Sequence, residues 1–361
     1  MKKLIIEAFA LSFNKNYGYQ EFLLNILDYM YNNIDQLNYE QIIIVSSEEN
    51  RNVFSKYLPK FNFRGFNYNS TIKKYYILST LKSRLDLKSD DVILFTNNYS
   101  SMFKYCKHAL VIHDLLYLRK ELFNNPGFRL QRKIFMPRSV KLADVVITIS
   151  NFVKEDVIKA YGERYRNKIN TVYNYFNFDK YTSEAPNIKM PSNKYFLIVS
   201  SSYRYKNILL VLEAFVKYAR QKEGNLVIVG SLRDEALLYY KAMDPEIAKR
   251  ILFYKNISNP ELGELYKNSM AFITATRHEG LGMPIVEAMY FKTRVFASDI
   301  PVCREVSGDL EHYFNPDNKN ELAELMINAD RMDNSDNISF ISSRYSALNT
   351  VQKYIDILNN L

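Results

Sequence analysis

Residues 277–287 read Arg-His-Glu-Gly-Leu-Gly-Met-Pro-Ile-Val-Glu, and they constrain the chemistry of this chain more tightly than any other stretch. Gly280 and Gly282 have no side chain, so the backbone between them can adopt positive φ and bring its N–H groups close to a ligand. Pro284 suits the first position of a helix, where its missing N–H costs nothing. The N-terminal end of that helix favours a phosphate, because its N–H groups and the helix dipole both attract negative charge.

Glu279 and Glu287 flank this turn, and their negative charge makes them unsuited to hold a phosphate themselves. Ionised carboxylates accept short, strong hydrogen bonds from hydroxyl groups, so both residues fit a ligand that is rich in hydroxyls. A phosphate together with a polyol suggests a nucleotide sugar. Taken singly, glycines and acidic residues before a helix are ordinary boundary signals. Their combination is what indicates a binding site.

Two further motifs follow apolar runs that are predicted to be strands. His113 and Asp114 come directly after one run, at the end of a strand where a cleft would lie. Arg204 and Lys206 lie in a turn between another strand and an apolar helix. A cation at such a helix N-terminus would neutralise a diphosphate.

The organisation of the chain predicts two domains. A length of 361 residues exceeds what one hydrophobic core usually serves. Apolar runs alternate with helix-like segments on both sides of the polar stretch 177–193, which we interpret as a linker. The predicted strands are 4–9, 41–46, 92–96, 109–113, 145–149 and 169–172 in the first half, and 195–200, 225–229, 251–253, 271–274 and 294–297 in the second. This pattern indicates two doubly wound parallel sheets, which bind ligands beyond the carboxyl ends of their strands.

The motif at 277–287 resembles the Glu-Gly-Phe-Gly-Leu-Pro-x-x-Glu-Ala-Met signature of the retaining glycosyltransferases of family 4, and His113-Asp114-Leu resembles a second motif of that family. The resemblance implies the α/β GT-B fold, with two Rossmann-like doubly wound parallel-sheet domains facing an interdomain cleft. On that fold, residues 1–178 are expected to bind the acceptor and residues 179–338 the nucleotide sugar. Residues 339–361 are expected to form a C-terminal helix that crosses back to the first domain.

The resemblance also implies roles for single residues. The catalytic set is His113, which contacts the donor sugar, with Glu279 and Lys206, which grips the diphosphate. Many family members have an arginine where this chain has Ser201, and Arg204 is expected to compensate. The residues expected to bind the donor nucleotide sugar are Ser201, Arg204, Lys206, Gly230, Ile257, Glu279, Gly280, Leu281, Gly282 and Glu287. No metal ion and no cofactor beyond this GDP- or UDP-linked substrate is implied, and the sequence contains no Asp-x-Asp.

The expected function is transfer of a hexose, mannose first, from a nucleoside diphosphate sugar to a glycan or lipid-linked saccharide acceptor. The chain looks similar to bacterial mannosyltransferases of surface polysaccharide biosynthesis, such as that of lipopolysaccharide or capsule. Two alternatives on the same fold stay open. One is a sugar-nucleotide epimerase, and the other is a non-catalytic partner subunit.

The net charge of +9 is concentrated in one place. Residues 51–88, here called the basic segment, contain nine basic residues and one acidic residue, with aromatic residues between them. A second basic stretch runs from Arg129 to Lys141. Such surfaces suit an anionic membrane as well as they suit plain solvated helix faces, and both readings stay open. Nucleic acid is not expected, because no nucleic-acid motif accompanies the charges.

No apolar run approaches the roughly 18 residues of a membrane span, so the protein is expected in the cytoplasm or peripherally at the inner face of the membrane. Cys106 and Cys303 are expected to be packing residues, because they lack the spacing of metal ligands. The sequence gives no indication of the oligomeric state.

Overall fold

The structure is a computed structural model, and it describes residues 2–11, 18–182, 187–200, 203–308, 312–332 and 338–361. The chain divides into two compact units. Unit 1 comprises Met1–Leu118, Asn125–Phe176 and Arg344–Leu361, and unit 2 comprises Arg119–Asn124 and Asn177–Ser343. The assignment of acceptor binding to the first domain and donor binding to the second stays a prediction.

Unit 1 contains a parallel sheet with helices around it. Its strands are β1 (Lys3–Glu7), β2 (Gln41–Ser47), β3 (Asn62–Phe66), β4 (Val92–Phe95), β5 (Lys107–Ile112), β6 (Val145–Thr148) and β7 (Ile169–Thr171). They lie in the order β3-β2-β1-β4-β5-β6-β7. The first six helices are α1 (Gly18–Asn32), α2 (Arg51–Phe54), α3 (Thr71–Ser79), α4 (Leu81–Leu85), α5 (Pro126–Leu142) and α6 (Asn151–Tyr161).

Unit 2 repeats this architecture. Its strands are β8 (Tyr195–Ser200), β9 (Asn225–Gly230), β10 (Ile251–Tyr254), β11 (Ala271–Thr274), β12 (Val295–Ser298) and β13 (Tyr313–Phe314), in the order β10-β9-β8-β11-β12-β13. Its helices are α7 (Ile208–Ala219), α8 (Asp234–Lys241), α9 (Pro245–Ala248), α10 (Asn259–Asn268), α11 (Met283–Tyr290), α12 (Pro301–Ser307) and α13 (Lys319–Asn328). Two more helices follow, α14 (Ile338–Arg344) and α15 (Val351–Asn359).

Both sheets have the doubly wound topology that the sequence predicts, and this prediction is confirmed. Strands such as β1 and β4 are almost continuous apolar runs, because helices cover both faces of a parallel sheet. In each sheet the strand order reverses beside the first strand, between β1 and β4 in unit 1 and between β8 and β11 in unit 2. Ligands bind at the carboxyl ends of strands at such switch points.

Two strands were missed by the sequence prediction. β3 lies at the edge of its sheet, and its side chains alternate between exposed and buried, so its apolar content is low. β13 has only two residues. The strand predicted at 294–297 begins one residue later, at Val295. The guanidinium of Arg294 donates to the carbonyl oxygens of Met270 and Ala329 at 3.1 and 2.8 Å.

Residues 177–182, in the predicted linker, pack against unit 2. Tyr181 is buried, and its ring meets that of Phe291 edge to face at a centroid distance of 5.3 Å. The single helix predicted at 339–361 is two helices, because a turn interrupts it. In that turn the hydroxyl of Thr350 donates to the carbonyl oxygen of Ser346 at 2.6 Å.

The helix α15 belongs to unit 1 and contacts α1. Its residues Val351, Tyr354, Ile355 and Leu358 are buried, so one face of the helix is apolar. On the polar side, the hydroxyl of Tyr29 in α1 donates to Gln352 at 3.0 Å. The C-terminal residues therefore complete the core of unit 1.

The aromatic residues of the basic segment are largely core residues, which corrects the reading that they cover an outer surface. Phe54, Tyr57 and Phe61 are buried, and Phe54 stacks on Phe63 at 5.6 Å. Tyr76 is the exception, with 60% of its surface exposed. Within the described ranges, no helix is both long and apolar enough to cross a membrane.

Candidate functional site

A pocket lies at the switch point of unit 2, between the carboxyl ends of β8 and β11. The strands contribute Ser200 and Thr274, and the start of α7 contributes Ile208. The loop after β11 and the start of α11 complete the wall. Predicted donor-binding residues in this wall are Lys206, Glu279 and Gly282, joined by Pro284.

Lys206 and Glu279 form an ion pair at the side of this pocket. The ammonium group of Lys206 donates to the Glu279 carboxylate, and the two side chains are only 17% and 15% exposed. The pair is therefore mostly withdrawn from water, where attraction between charges is stronger than at a surface. Lys206 and Glu279 are 73 residues apart in the chain, so no local pattern indicates that they pair with each other.

Hydrogen bonds join the loop that contains Lys206 to the loop that contains Glu279. The carbonyl oxygen of Tyr205 accepts from the backbone N–H of Arg277 at 2.7 Å and from the hydroxyl of Thr276 at 3.2 Å. Asn207, at φ +54°, then turns the chain into α7. The side chain of Asn207 fixes this left-handed turn by donating to the carbonyl oxygen of Pro316 at 2.7 Å.

The glycine turn leads into α11 as the sequence predicts, with one difference. Gly282 precedes the helix at φ +92°, a conformation that favours glycine. Met283 is the first helical residue and Pro284 the second, so Pro284 is one position later than predicted. Its missing N–H still costs nothing, since the first four N–H groups of a helix have no partner within it. Leu281 is buried, and Gly280 is partly buried.

Glu287 lies on α11 and is 7% exposed. Its carboxylate accepts a hydrogen bond from the hydroxyl of Tyr266 in α10 at 2.9 Å. Burial, followed by the nearby negative charge of Glu287, raises the pKa of Tyr266, so this hydroxyl keeps its proton and acts as the donor. The tyrosine thus orients the carboxylate that the sequence assigns to the donor.

Other predicted residues of the donor site lie around this pocket without lining it. Arg204 is exposed and lines a neighbouring pocket together with Arg277 and Asp317. Gly230 ends β9 at φ +141°, and a Cβ there would lie 2.2 Å from a carbonyl oxygen of β8. Ile257 is partly buried in the loop after β10. Ser201 lies outside the described residues.

His113 lies in unit 1, at the carboxyl end of β5. Its Nε2 is 2.8 Å from the carbonyl oxygen of Thr96, and because a carbonyl can only accept, Nε2 carries the proton. The rings of Tyr19 and Phe22 meet the imidazole edge to face, at centroid distances of 5.6 and 4.7 Å. Burial lowers the pKa of His113, which favours the neutral ring.

Ser150 caps the start of α6. Ser150 lies one residue before the helix begins, and its hydroxyl accepts a hydrogen bond from the backbone N–H of Val153 at 3.1 Å. Cys106 and Cys303 are both buried thiols.

The sequence reading missed two kinds of residue. Arg119 donates through Nε to Nδ1 of the buried His278 at 3.1 Å, and no motif marks this contact. Lys74 and Arg132, which the sequence places among solvated basic residues, are buried at 8% exposure each. A signal for this was present, because each lies on the buried stripe of its helix, Lys74 with Ile77 and Leu78, and Arg132 with Met136.

Comparison with known proteins agrees with the fold. Residues 180–337, which are nearly all of unit 2, match the family model described as Glycosyl transferases group 1. Among solved structures, Anabaena HepE in complex with UDP-glucose is 15% identical, with a TM-score of 0.71 over the full length of both chains. The lipopolysaccharide outer core galactosyltransferase WaaB is 17% identical, with a TM-score of 0.68 over the full length of both chains. These neighbours confirm the GT-B fold.

Two curated proteins are similar to this chain in sequence. The O-antigen chain mannosyltransferase RfbU of Salmonella typhimurium is 30% identical over 229 residues, which are 62% of this chain and 61% of the relative. The serotype-specific mannosyltransferase WbdA of Escherichia coli is 29% identical over 264 residues, which are 66% of this chain and 32% of the relative. The match thus spans less than two thirds of either relative.

Proposed function

We propose that this chain is a retaining, metal-independent glycosyltransferase of family 4. It moves a hexose from a nucleoside diphosphate sugar to a glycan or lipid-linked saccharide acceptor in polysaccharide biosynthesis. The observation that carries the proposal is the pocket at the switch point of unit 2, where Lys206, Glu279 and the start of α11 converge.

The difficult step is departure of the anionic diphosphate from the anomeric carbon. Lys206 supplies a positive charge at the pocket, and the N-terminal end of α11 supplies N–H groups beside it. Both are held in place before the reaction, which is the arrangement that stabilises developing charge most effectively. The acceptor hydroxyl then attacks the face that the diphosphate leaves, so the anomeric configuration is kept.

Carboxylates orient the sugar and the ribose. Glu279 accepts hydrogen bonds from sugar hydroxyls, helped by the backbone of Gly280 and Gly282. Glu287, which Tyr266 holds in place, accepts from the ribose. His113 contacts the transferred sugar as the resemblance implies, and its neutral ring is suited to hydrogen bonding.

Mannose is the first sugar to test, with GDP-mannose as the donor. Support comes from the names of RfbU, an O-antigen chain mannosyltransferase, and WbdA, a serotype-specific mannosyltransferase. UDP sugars are the second choice, because HepE was solved with UDP-glucose.

The test begins with a thermal-shift screen of GDP, UDP and dTDP sugars, because a ligand that binds only the native state raises the melting temperature. The best donor is then incubated with lipid-linked and oligosaccharide acceptors, and transfer is measured. Glu279→Ala should abolish transfer with an unchanged circular dichroism spectrum. Glu264→Ala is the matched control, since Glu264 forms an ion pair with Lys267 at 2.7 Å, away from the pocket.

Full activity of Glu279→Ala would remove the site assignment. Conversion of the donor to an epimer without an acceptor would favour the epimerase reading. Binding of no nucleotide sugar at all would favour the partner subunit.

We also propose that unit 1 contacts an anionic membrane through α3 and α5. Ile72 and Tyr76 are four residues apart on one face of α3, and they are 83% and 60% exposed. Leu130 and Ile134 have the same spacing on α5 and are 62% and 58% exposed. Exposed basic residues lie beside them, including Lys73 and Lys133. Apolar side chains among lysines are the pattern of helices that lie on anionic lipid.

Cosedimentation with vesicles tests this second proposal. The full chain should sediment with vesicles of phosphatidylglycerol and much less with phosphatidylcholine, and salt should weaken the binding. Ile72→Ser combined with Ile134→Ser should reduce binding severalfold. Leu238→Ser, which removes an equally exposed apolar side chain from unit 2, should not. Equal binding by all three proteins would exclude the α3 and α5 surface.

A further inference from the structure

The switch point of unit 1 contains two buried cations that the proposed function does not use. Lys74 enters from α3 and Arg132 from α5, and each is 8% exposed. Both meet the ring of Tyr99, just beyond the end of β4. The Nζ of Lys74 and the guanidinium carbon of Arg132 each lie 4.6 Å from the centroid of that ring. Parallel sheets bind their ligands at this position.

The two cations lack the partners that buried charges usually have. Within the described part of the chain, neither side chain forms an ion pair, and Nη1 of Arg132 is buried with no hydrogen-bond partner. Two carboxylates act on these cations without forming an ion pair with them: the half-buried Asp114, which raises the pKa of Arg132, and the buried Glu7 at the end of β1. Asp114 follows β5, and one of its oxygens accepts from the backbone N–H of Leu116 at 3.0 Å. Glu7 is the more deeply buried of the two. Its oxygens are engaged elsewhere, accepting from the backbone N–H of Phe9 at 2.9 Å and from that of Thr96 at 3.4 Å.

If Lys74 and Arg132 only supported the fold, burying their positive charges side by side would destabilise it. Burial lowers the pKa of Lys74 to about 8, the charge of Arg132 lowers it as well, and Glu7 opposes both. Burial also lowers the pKa of Arg132. Apolar side chains would fill the same space without a desolvation penalty. An anion that binds both cations would remove the penalty, and it would give the buried Nη1 a partner.

We propose that Lys74 and Arg132 bind a phosphate group of the acceptor substrate. A phosphate carries enough charge to pair with both cations, and its several oxygens can accept from an ammonium and from a guanidinium at once. Tyr99 supports the two side chains, because its ring attracts both of them. That the phosphate belongs to the acceptor rests on the proposed function, together with the expectation that residues 1–178 bind the acceptor.

The first experiment measures binding of inorganic phosphate to the full chain by calorimetry, with saturating nucleoside diphosphate present to occupy unit 2. Lys74→Met and Arg132→Gln should each weaken phosphate binding at least tenfold. The matched controls are Lys73→Met and Lys133→Gln, which remove the exposed neighbour of each cation. Arg132→Lys keeps the charge and should retain part of the affinity, which separates lost charge from lost folding. Equal affinity in the wild type, Lys74→Met and Lys73→Met would overturn the proposal.

Competition identifies the source of the phosphate. Displacement of inorganic phosphate by hexose 6-phosphate would indicate a soluble sugar phosphate, and displacement by farnesyl diphosphate in micelles would indicate a lipid diphosphate. If neither displaces it, the site binds inorganic anions alone, and its assignment to the acceptor is wrong. Phosphate binding needs no transfer, so its absence leaves the proposed function standing. Intact phosphate binding in a chain that transfers no sugar would refute the proposed function alone.

Discussion

Replacing Glu279 by glutamine should tighten the binding of a sugar-free nucleoside diphosphate, although Glu279 is proposed to be necessary for transfer. In the structure the Lys206 ammonium is bonded to the Glu279 carboxylate. A diphosphate that binds Lys206 has to compete with this carboxylate and to lie near its negative charge. Glutamine has the same shape without the charge, so both penalties are smaller in the variant.

The size of the effect follows from the burial of the pair. With side chains 17% and 15% exposed, an effective dielectric constant of about 20 to 80 applies. At a separation of about 5 Å, two like unit charges then repel each other by about 0.8 to 3 kcal/mol. Removing one charge should lower the dissociation constant by about 4- to 150-fold.

The assay is calorimetric titration with GDP and with UDP. Glu279→Gln should bind the preferred nucleotide more tightly than the wild type, and Lys206→Met should bind it more weakly. Glu264→Gln removes the same charge from an ion pair elsewhere in unit 2 and should bind like the wild type. Added salt should reduce the difference in nucleotide affinity between Glu279→Gln and the wild type, because screening weakens the repulsion that the substitution removes.

Two results would refute this reasoning. Weaker nucleotide binding by Glu279→Gln would mean that the carboxylate helps to hold the diphosphate or its lysine. Wild-type binding by both Glu279→Gln and Lys206→Met would mean that the diphosphate lies away from the pair.

Three other predictions concern stability, each measured by chemical denaturation. Folding lowers the pKa of Lys74 from 10.5 to about 8, so the unfolded chain binds more protons than the folded one between these pH values. The free energy of unfolding of the wild type should therefore rise by up to about 3 kcal/mol, relative to that of Lys74→Met, as the pH increases from 8 to 10.5. Below pH 8 the difference between the two proteins should not change with pH. A constant difference across the window would contradict this. Tyr266→Phe should cost about 1–3 kcal/mol, because it leaves the buried Glu287 carboxylate without this donor, and an unchanged midpoint would show that the bond contributes nothing. Gly230→Ala should destabilise far more than Gly162→Ala, because both have positive φ but only Gly230 would bring a Cβ against a neighbouring strand, and equal losses would exclude the clash.

The fold was largely predictable because parallel sheets leave a strong local signal. A strand that is buried on both faces must be a nearly continuous apolar run, and runs such as those of β8 and β9 are visible in the sequence. Edge strands lack that signal. β3 has one buried and one solvent-facing side, and its aromatic residues among charges suggested a surface.

Sequence motifs indicated Lys206, Glu279 and Gly282, which line the pocket, and the backbone of the site was also predictable. The positive φ of Gly282 follows from the absence of a side chain, and the start of α11 follows from Pro284. Contacts between side chains from distant segments were not predictable. The Lys206–Glu279 pair and the burial of Arg132 depend on how loops and helices pack, and formal charge alone suggested solvent exposure for Arg132.

The membership of α15 in unit 1 has a consequence for biosynthesis. Tyr29 and Gln352 are 323 residues apart, and all of unit 2 is translated between them. During synthesis from the N-terminus, unit 2 can therefore fold on the ribosome before α15 is available to pack against the apolar face of α1. Chaperones that bind nascent chains would therefore be needed most at α1. A chain that is released before Val351 is translated would have a folded unit 2 and an aggregation-prone unit 1, because it lacks α15.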